Sequence, residues 1–192
     1  MTKPVKREAI LTAARAEFSS LGYHGARIER IAAAASANKQ LIFHYFGSKD
    51  GLYAAAVSNI FSTFPESFPT AGQPPETLRR RADAIAEWLV ETDGAATSLV
   101  ECLSGRGVPA AASESARSWV GAASAQLRAA LDEGQMRGYF RDDIDADAVV
   151  ELIIGSAVGA AMMATGRRLA NGRAAVEPSL IGRLVADYCG WR

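Results

Sequence analysis

Apolar residues recur at helical spacing along most of this chain. Ile10, Leu11, Ala14, Phe18 and Leu21 form one stripe, because steps of three and four residues return to the same helix face. They predict a first helix from Pro4 to Leu21. Pro4 suits its first turn, where a missing N–H costs little, and Gly22 ends it in left-handed backbone. Ile28, Ile31 and Ala32 repeat the pattern over Arg27 to Ala34 or Ala35. A small-residue run, Ala33 to Ala37, follows. Asn38 then suits an N-cap for a helix carrying Lys39 to Tyr45. Two helices this short are unstable alone. Joined by a tight turn, they have the form of a helix-turn-helix.

Downstream the period stays helical. Ser48 reads as the N-cap of a fourth helix through Leu52, Ala56 and Ile60, reaching toward Phe64. Phe64 to Pro75 holds four prolines and one glycine, so it forms a connector and not a regular helix. Further helices are expected at Glu76 to Thr92, Ala95 to Ser104, Pro109 to Gly134, Ala146 to Leu169 and Pro178 to Trp191. Helix Ala146 to Leu169 is apolar around much of its circumference and is expected to be buried on more than one side. No stretch alternates with the period of a strand. The fold class is all-α, with an N-terminal three-helix domain that holds the helix-turn-helix at 1–53 and a C-terminal helical domain at 54–192.

Charge sharpens this division. The net charge of the 192 residues is zero. Up to Tyr53, however, eight Lys and Arg face four acids, which leaves thirteen against seventeen in the remainder. A basic head on an acidic body suits a polyanion bound at one end only. The two cysteines, Cys102 and Cys189, stand far apart in apolar helical patterns, so buried reduced thiols are expected. With two histidines and no metal-ligand spacing, neither metal nor cofactor is expected. The N-terminus lacks the apolar core of a signal peptide. Leu152 to Thr165 is short for a bilayer span. A cytoplasmic protein without a membrane partner is the expectation.

The predicted third helix carries the chemistry. Its outward positions offer a cation, an amide, an imidazole and aromatic rings, which suits a DNA groove. Lys39 can donate to guanine acceptors or to phosphate, and Gln40 can pair with an adenine edge. Leu41 can touch a thymine methyl or pack. His44 and Tyr45 reach backbone or base edges, while Ile42 and Phe46 are assigned to the core. Lys49, beside the open N–H groups of the fourth helix, makes an anion site for a DNA phosphate.

Ile10-Leu11, Ala13-Ala14, Phe18, Gly22-Tyr23, Ile31-Ala32, Lys39 and above all His44-Tyr45-Phe46-Gly47-Ser48-Lys49 with Leu52 carry a resemblance. The segment from about Val5 to Val57 resembles the N-terminal domain of the TetR family of bacterial repressors. The resemblance implies a dimer on a double-stranded DNA operator, with a small-molecule ligand in the body, and it alone implies repression. Four departures stand out. Arg27 occupies the start of the second helix, where the family places Thr or Ser; it can take over a phosphate contact but not the cap. Ser36 stands where the family favours Gly, at a small backbone cost. Gln40 replaces a common Gly, and Leu41 a frequent Thr. The family's aromatic at Phe43 often meets phosphate, but Phe lacks the hydroxyl to do so.

In the body, Phe64, Trp88, Leu99, Cys102, Trp119 and Met162 can line an apolar ligand cavity. Small residues, Gly155, Ser156 and Gly159, allow close helix approach. With Leu152, Leu180, Leu184 and Tyr188 they are assigned to a homodimer interface built as a four-helix bundle. Two recognition helices would then meet major grooves about 34–36 Å apart. Two rival readings follow from the residues. One is a helix-turn-helix regulator controlled by a protein partner. The other is a nucleotide-binding enzyme, on the Gly105-x-Gly107-x-x-Ala110 fragment, which requires a preceding strand.

Overall fold

A computed structural model describes residues 3–65, 72–105 and 107–171. Among these residues the chain forms eight helices and no strand. They are α1 (Lys3–Gly25), α2 (Ile28–Ala34), α3 (Lys39–Phe46), α4 (Lys49–Phe61), α5 (Pro74–Glu91), α6 (Ala95–Leu103), α7 (Ala110–Met136) and α8 (Ala146–Asn171). The all-α expectation holds, and most helix bounds fall within two or three residues of those read from periodicity. The expected helix Pro178 to Trp191 lies outside the described residues. So do the interface positions Leu180, Leu184 and Tyr188, and Cys189.

The chain divides into two compact units, Met1–Phe64 with Thr92–Trp119, and Pro65–Glu91 with Val120–Arg192. Long helix α7 begins in the first and continues in the second. In the first unit α1 packs on α2, α4 and α6, and α4 packs on α3 and α6. Ile10, Ile31, Ile42, Leu52, Tyr53, Ile60 and Leu99 are fully enclosed. Burying an aliphatic side chain of this size contributes about 1.5–3 kcal/mol. Leu21, expected in the α1 stripe, is instead exposed. The reason lies one residue on. Gly22 has φ 67° and ψ 178° and breaks the helix, which turns the last residues off the α1 axis. This is not the left-handed helical conformation expected of an ordinary C-terminal glycine, but an extended one that only glycine adopts readily.

In the second unit α5 packs against α8. Leu78, Ala82, Ile85 and Leu89 of α5, Leu127 and Leu131 of α7, and Ile153, Ala157 and Ala161 of α8 form the apolar interior. Gly134 lets the chain fold back on α7: a Cβ there would sit 2.2 Å from the Phe140 ring. Asp145 then caps α8, its Oδ1 accepting from the Asp147 N–H at 2.9 Å.

Helix α8 corrects an expectation. Its stretch Ala146–Thr165 is long and apolar enough to cross a membrane by length and composition, with mean hydropathy 1.8. Only 33% of that stretch is buried, so the helix is not enclosed on several sides. Leu152, Gly155, Ser156, Gly159, Met162 and Met163 share one exposed face. Met162, assigned to a ligand cavity, therefore lies on the outside with the interface positions. The other five cavity residues divide as well. Phe64, Leu99, Cys102 and Trp119 belong to the first unit, and Trp88 to the second. Phe64 meets the Trp119 ring edge-on at 5.3 Å, as tightly packed core.

Candidate nucleic-acid interface

Helix α3 stands because both of its ends are tied. The Asn38 side chain accepts from the Leu41 N–H at 2.8 Å, and Gly47 closes the other end with φ 75°. Ile42 is fully buried and sets the helix rotation. Lys39, Gln40, Phe43 and His44 are then exposed along one arc. Phe43 sits in the middle of that arc, 41% exposed, which resolves it as a surface residue. Leu41 and Tyr45 flank the arc, half-buried. Phe46 is also half-buried, not the core residue expected. The Arg7 guanidinium covers its ring at 5.2 Å, which shields it without full enclosure.

Each departure at α2 meets a partner from α1. Arg27 is the N-cap residue and gives no side-chain cap. Glu17 ties down the start of α2 without replacing that cap: its Oε1 accepts the N–H of Arg27 itself at 3.2 Å, and its Oε2 pairs with the Arg30 side chain at 3.1 Å. Ser36 adopts φ 49°, a left-handed backbone that a side chain disfavours. Lys6 holds the strained turn by donating Nζ to the Ala35 and Ser36 carbonyls at 3.1 and 2.6 Å. Neither Glu17 nor Lys6 was identifiable from the sequence, since each acts across the fold. Their only trace was a charge on the helix packed against the irregular turn.

Lys39 forms an ion pair with Glu29 of α2. The pair holds the Glu29 carboxyl below its ordinary range. It also braces the cation at the exposed end of α3. The other predicted cation, Lys49, lies over the Tyr23 ring at 4.9 Å. Tyr23 donates its hydroxyl to Asp50 at 2.5 Å, and the hydrogen bond to that carboxylate raises its pKa from 10.0 to about 12. Ser48 caps α4, its Oγ accepting from the Gly51 N–H at 3.0 Å.

A carboxylate of α6 ties this head to the rest of its unit. Glu101 accepts the Tyr23 N–H at 2.8 Å and the Tyr53 hydroxyl at 2.7 Å. Tyr53 also lies 3.7 Å from the Cys102 sulfur. Burial and the Glu101 contact push the Tyr53 hydroxyl strongly up, and burial raises the Cys102 thiol. Gly105 and Gly107 follow helix α6 and not a strand. The context that a dinucleotide fingerprint needs is therefore missing at that fragment. Among the described residues no His, Cys, Asp and Glu cluster could hold a metal ion.

Comparison with known proteins places this arrangement. Residues 10–56 match the family model described as bacterial regulatory proteins, tetR family. The transcriptional repressor NicS of Pseudomonas putida is 33% identical over 142 residues, covering 72% of this chain and 67% of that protein. The transcriptional repressor SCO4008 of Streptomyces coelicolor is 31% identical over 164 residues, covering 85% and 82%. The regulator FadR of Bacillus subtilis, solved in complex with stearoyl-CoA, shares the fold with a TM-score of 0.69 over 95% of this chain and 97% of that one, at 16% identity.

Proposed function

Because this chain belongs to the TetR family of bacterial regulatory proteins, we propose that it is a dimeric DNA-binding repressor released from its operator by a small ligand. The observation that carries the DNA reading is the exposed arc of α3. Lys39, Gln40, Phe43 and His44 face outward together while Ile42 anchors the helix behind them. Such an arc is the size of a major-groove footprint. In this reading Lys39, Gln40 and His44 read base edges, and Phe43 and Leu41 make apolar contact with thymine methyls. Arg27, Tyr45 and Lys49 take phosphates and supply most of the salt-dependent affinity.

Dimerisation uses the exposed face of α8, with Leu152, Gly155, Ser156 and Gly159 approaching a second copy. A two-fold there sets the two α3 helices on successive major grooves. Ligand in the body favours a state whose heads no longer match the half-site spacing. FadR of Bacillus subtilis, with its bound stearoyl-CoA, supports a ligand-carrying body on this fold. The Glu101 contacts to Tyr23 and Tyr53 give the body a handle on the head. Such a protein acts in the cytoplasm, on the chromosome, and performs no catalysis.

Selection of bound DNA from a random pool tests the reading. The expected product is a palindrome whose half-sites lie one helical turn apart. Non-palindromic output would overturn the dimer, and loss of all selectivity the operator.

A further inference from the structure

Arg81 of α5 is a buried cation that no carboxylate of the described residues meets. It is 9% exposed. Its Nη1 donates to the Gln126 carbonyl of α7. Its Nε is buried and makes no hydrogen bond. Arg79 and Arg80, its neighbours, pair with Asp83 and Glu76 on the same helix. Arg81 forms no such pair among the described residues. The acid that acts on it most is Glu133, which is exposed and committed to Arg137 at 2.9 Å. Desolvation accordingly pushes the guanidinium below its ordinary value. Buried charges are normally paired, because leaving water is expensive without a counterion. An orphaned donor beside an unpaired charge marks a place for an anion.

The geometry states which anion. With Nη1 engaged, Nε and Nη2 remain on one edge of the planar fork. That edge takes the two oxygens of a carboxylate in parallel. Thr77 stands one turn before Arg81, Ile85 one turn after, and Trp88 almost one turn further. All four share an arc of α5, since these steps return to one face. Thr77 and Ile85 are buried and Trp88 half-buried. The rise from Arg81 to Trp88 is about 10 Å. The stripe therefore has a cationic end and an apolar end, a short molecule's length apart.

We propose that Arg81 binds the carboxylate of an organic acid through Nε and Nη2, with the acid's apolar body along Ile85 toward Trp88. This rests on the ligand-responsive reading above and names the chemical class of the ligand. Isothermal titration of the full-length protein with benzoate, phenylacetate and hexanoate, each beside its primary amide, tests it. At least one acid binds saturably where its amide does not. Arg81→Met abolishes that preference, and Arg81→Lys, which keeps the charge and loses the fork, weakens it by about tenfold. Should Arg81→Met fail to fold, Arg81→Gln serves the same comparison. No difference between acid and amide across the panel overturns the proposal, as does a difference that survives the loss of Arg81. The titration contains no DNA. Its failure leaves operator binding standing, and failure of the DNA selection leaves acid binding standing.

Discussion

The hydroxyl of Tyr53 on α4 donates to Glu101 of α6 at 2.7 Å. The other oxygen of the same carboxylate receives the Tyr23 N–H at 2.8 Å. One side chain thus joins the end of α1, the middle of α4 and the body side of the unit. The kink at Gly22 makes room for it: a Cβ there would lie 2.9 Å from Glu101 Oε1. Tyr53→Phe is expected to cost about 1–2 kcal/mol, because the ring stays packed while the partly buried carboxylate loses one donor. Glu101→Ala is expected to cost more, about 2–3 kcal/mol, because it strands a buried hydroxyl and a backbone donor together. Urea unfolding checks both. The double variant should unfold close to Glu101→Ala alone, since the two changes remove one network.

The same cluster sets an alkaline limit. The Tyr23 hydroxyl is held up at about 12 by its bond to Asp50, and the Tyr53 hydroxyl is pushed up by burial and Glu101. A group whose folded pKa exceeds its unfolded value stabilises the fold fully below the unfolded pKa. For Tyr23 that contribution is present below pH 10 and is lost as pH rises through about 12. Tyrosinate absorbance during alkaline titration should show both rings ionising late. In Tyr23→Phe the corresponding late phase should disappear.

Ser36 and Lys6 make opposite predictions. Ser36→Gly relieves the left-handed strain at φ 49° and should stabilise by about 0.5–1 kcal/mol. Lys6→Met removes the donor to the Ala35 and Ser36 carbonyls and should destabilise by about 0.5–1.5 kcal/mol. Thermal melts of the two variants should therefore move in opposite directions.

On DNA, Lys49→Ala should weaken binding to all sequences alike and flatten the salt dependence by about one unit. Gln40→Ala should relax preference at one base step. Fluorescence anisotropy over a salt series, with operator and scrambled duplex, separates the two. If both variants bind operator like the parent chain, the proposed docking is wrong.

Gly159 tests the dimer. It lies on the exposed α8 face, and a Cβ there meets nothing within 4 Å of its own chain. Gly159→Glu should leave the protomer folded while inserting a charge into the proposed interface. Sedimentation velocity should show monomer at concentrations where the parent chain is dimeric. A variant that remains a dimer would move the interface off this face.

What was legible in the chain follows from how far each signal reaches. Helix existence and order came from local periodicity, and the caps Asn38 and Ser48 from a bond to a residue three positions on. The cost at Ser36 and the missing cap at Arg27 were readable through the resemblance, because the family places Gly and Thr or Ser at those positions. Leu21, Phe46 and Met162 were misjudged for one reason. Periodicity says which residues share a face, but not where that face ends or whether anything covers it.

The sequence by itself determined an all-α chain with a basic helix-turn-helix head, and the family through its HYFGSK segment. These rest on interactions spanning a few residues, so they are written in consecutive letters. The tertiary structure alone decided that Glu17 anchors the start of the uncapped α2, that Lys6 holds the turn, that Glu101 clasps Tyr23 and Tyr53, and that Arg81 is buried without a counterion among the described residues. Most of these are meetings of residues far apart in the chain, and Arg81's isolation is the absence of one. Their energies depend on distance and burial in three dimensions, which no local pattern carries.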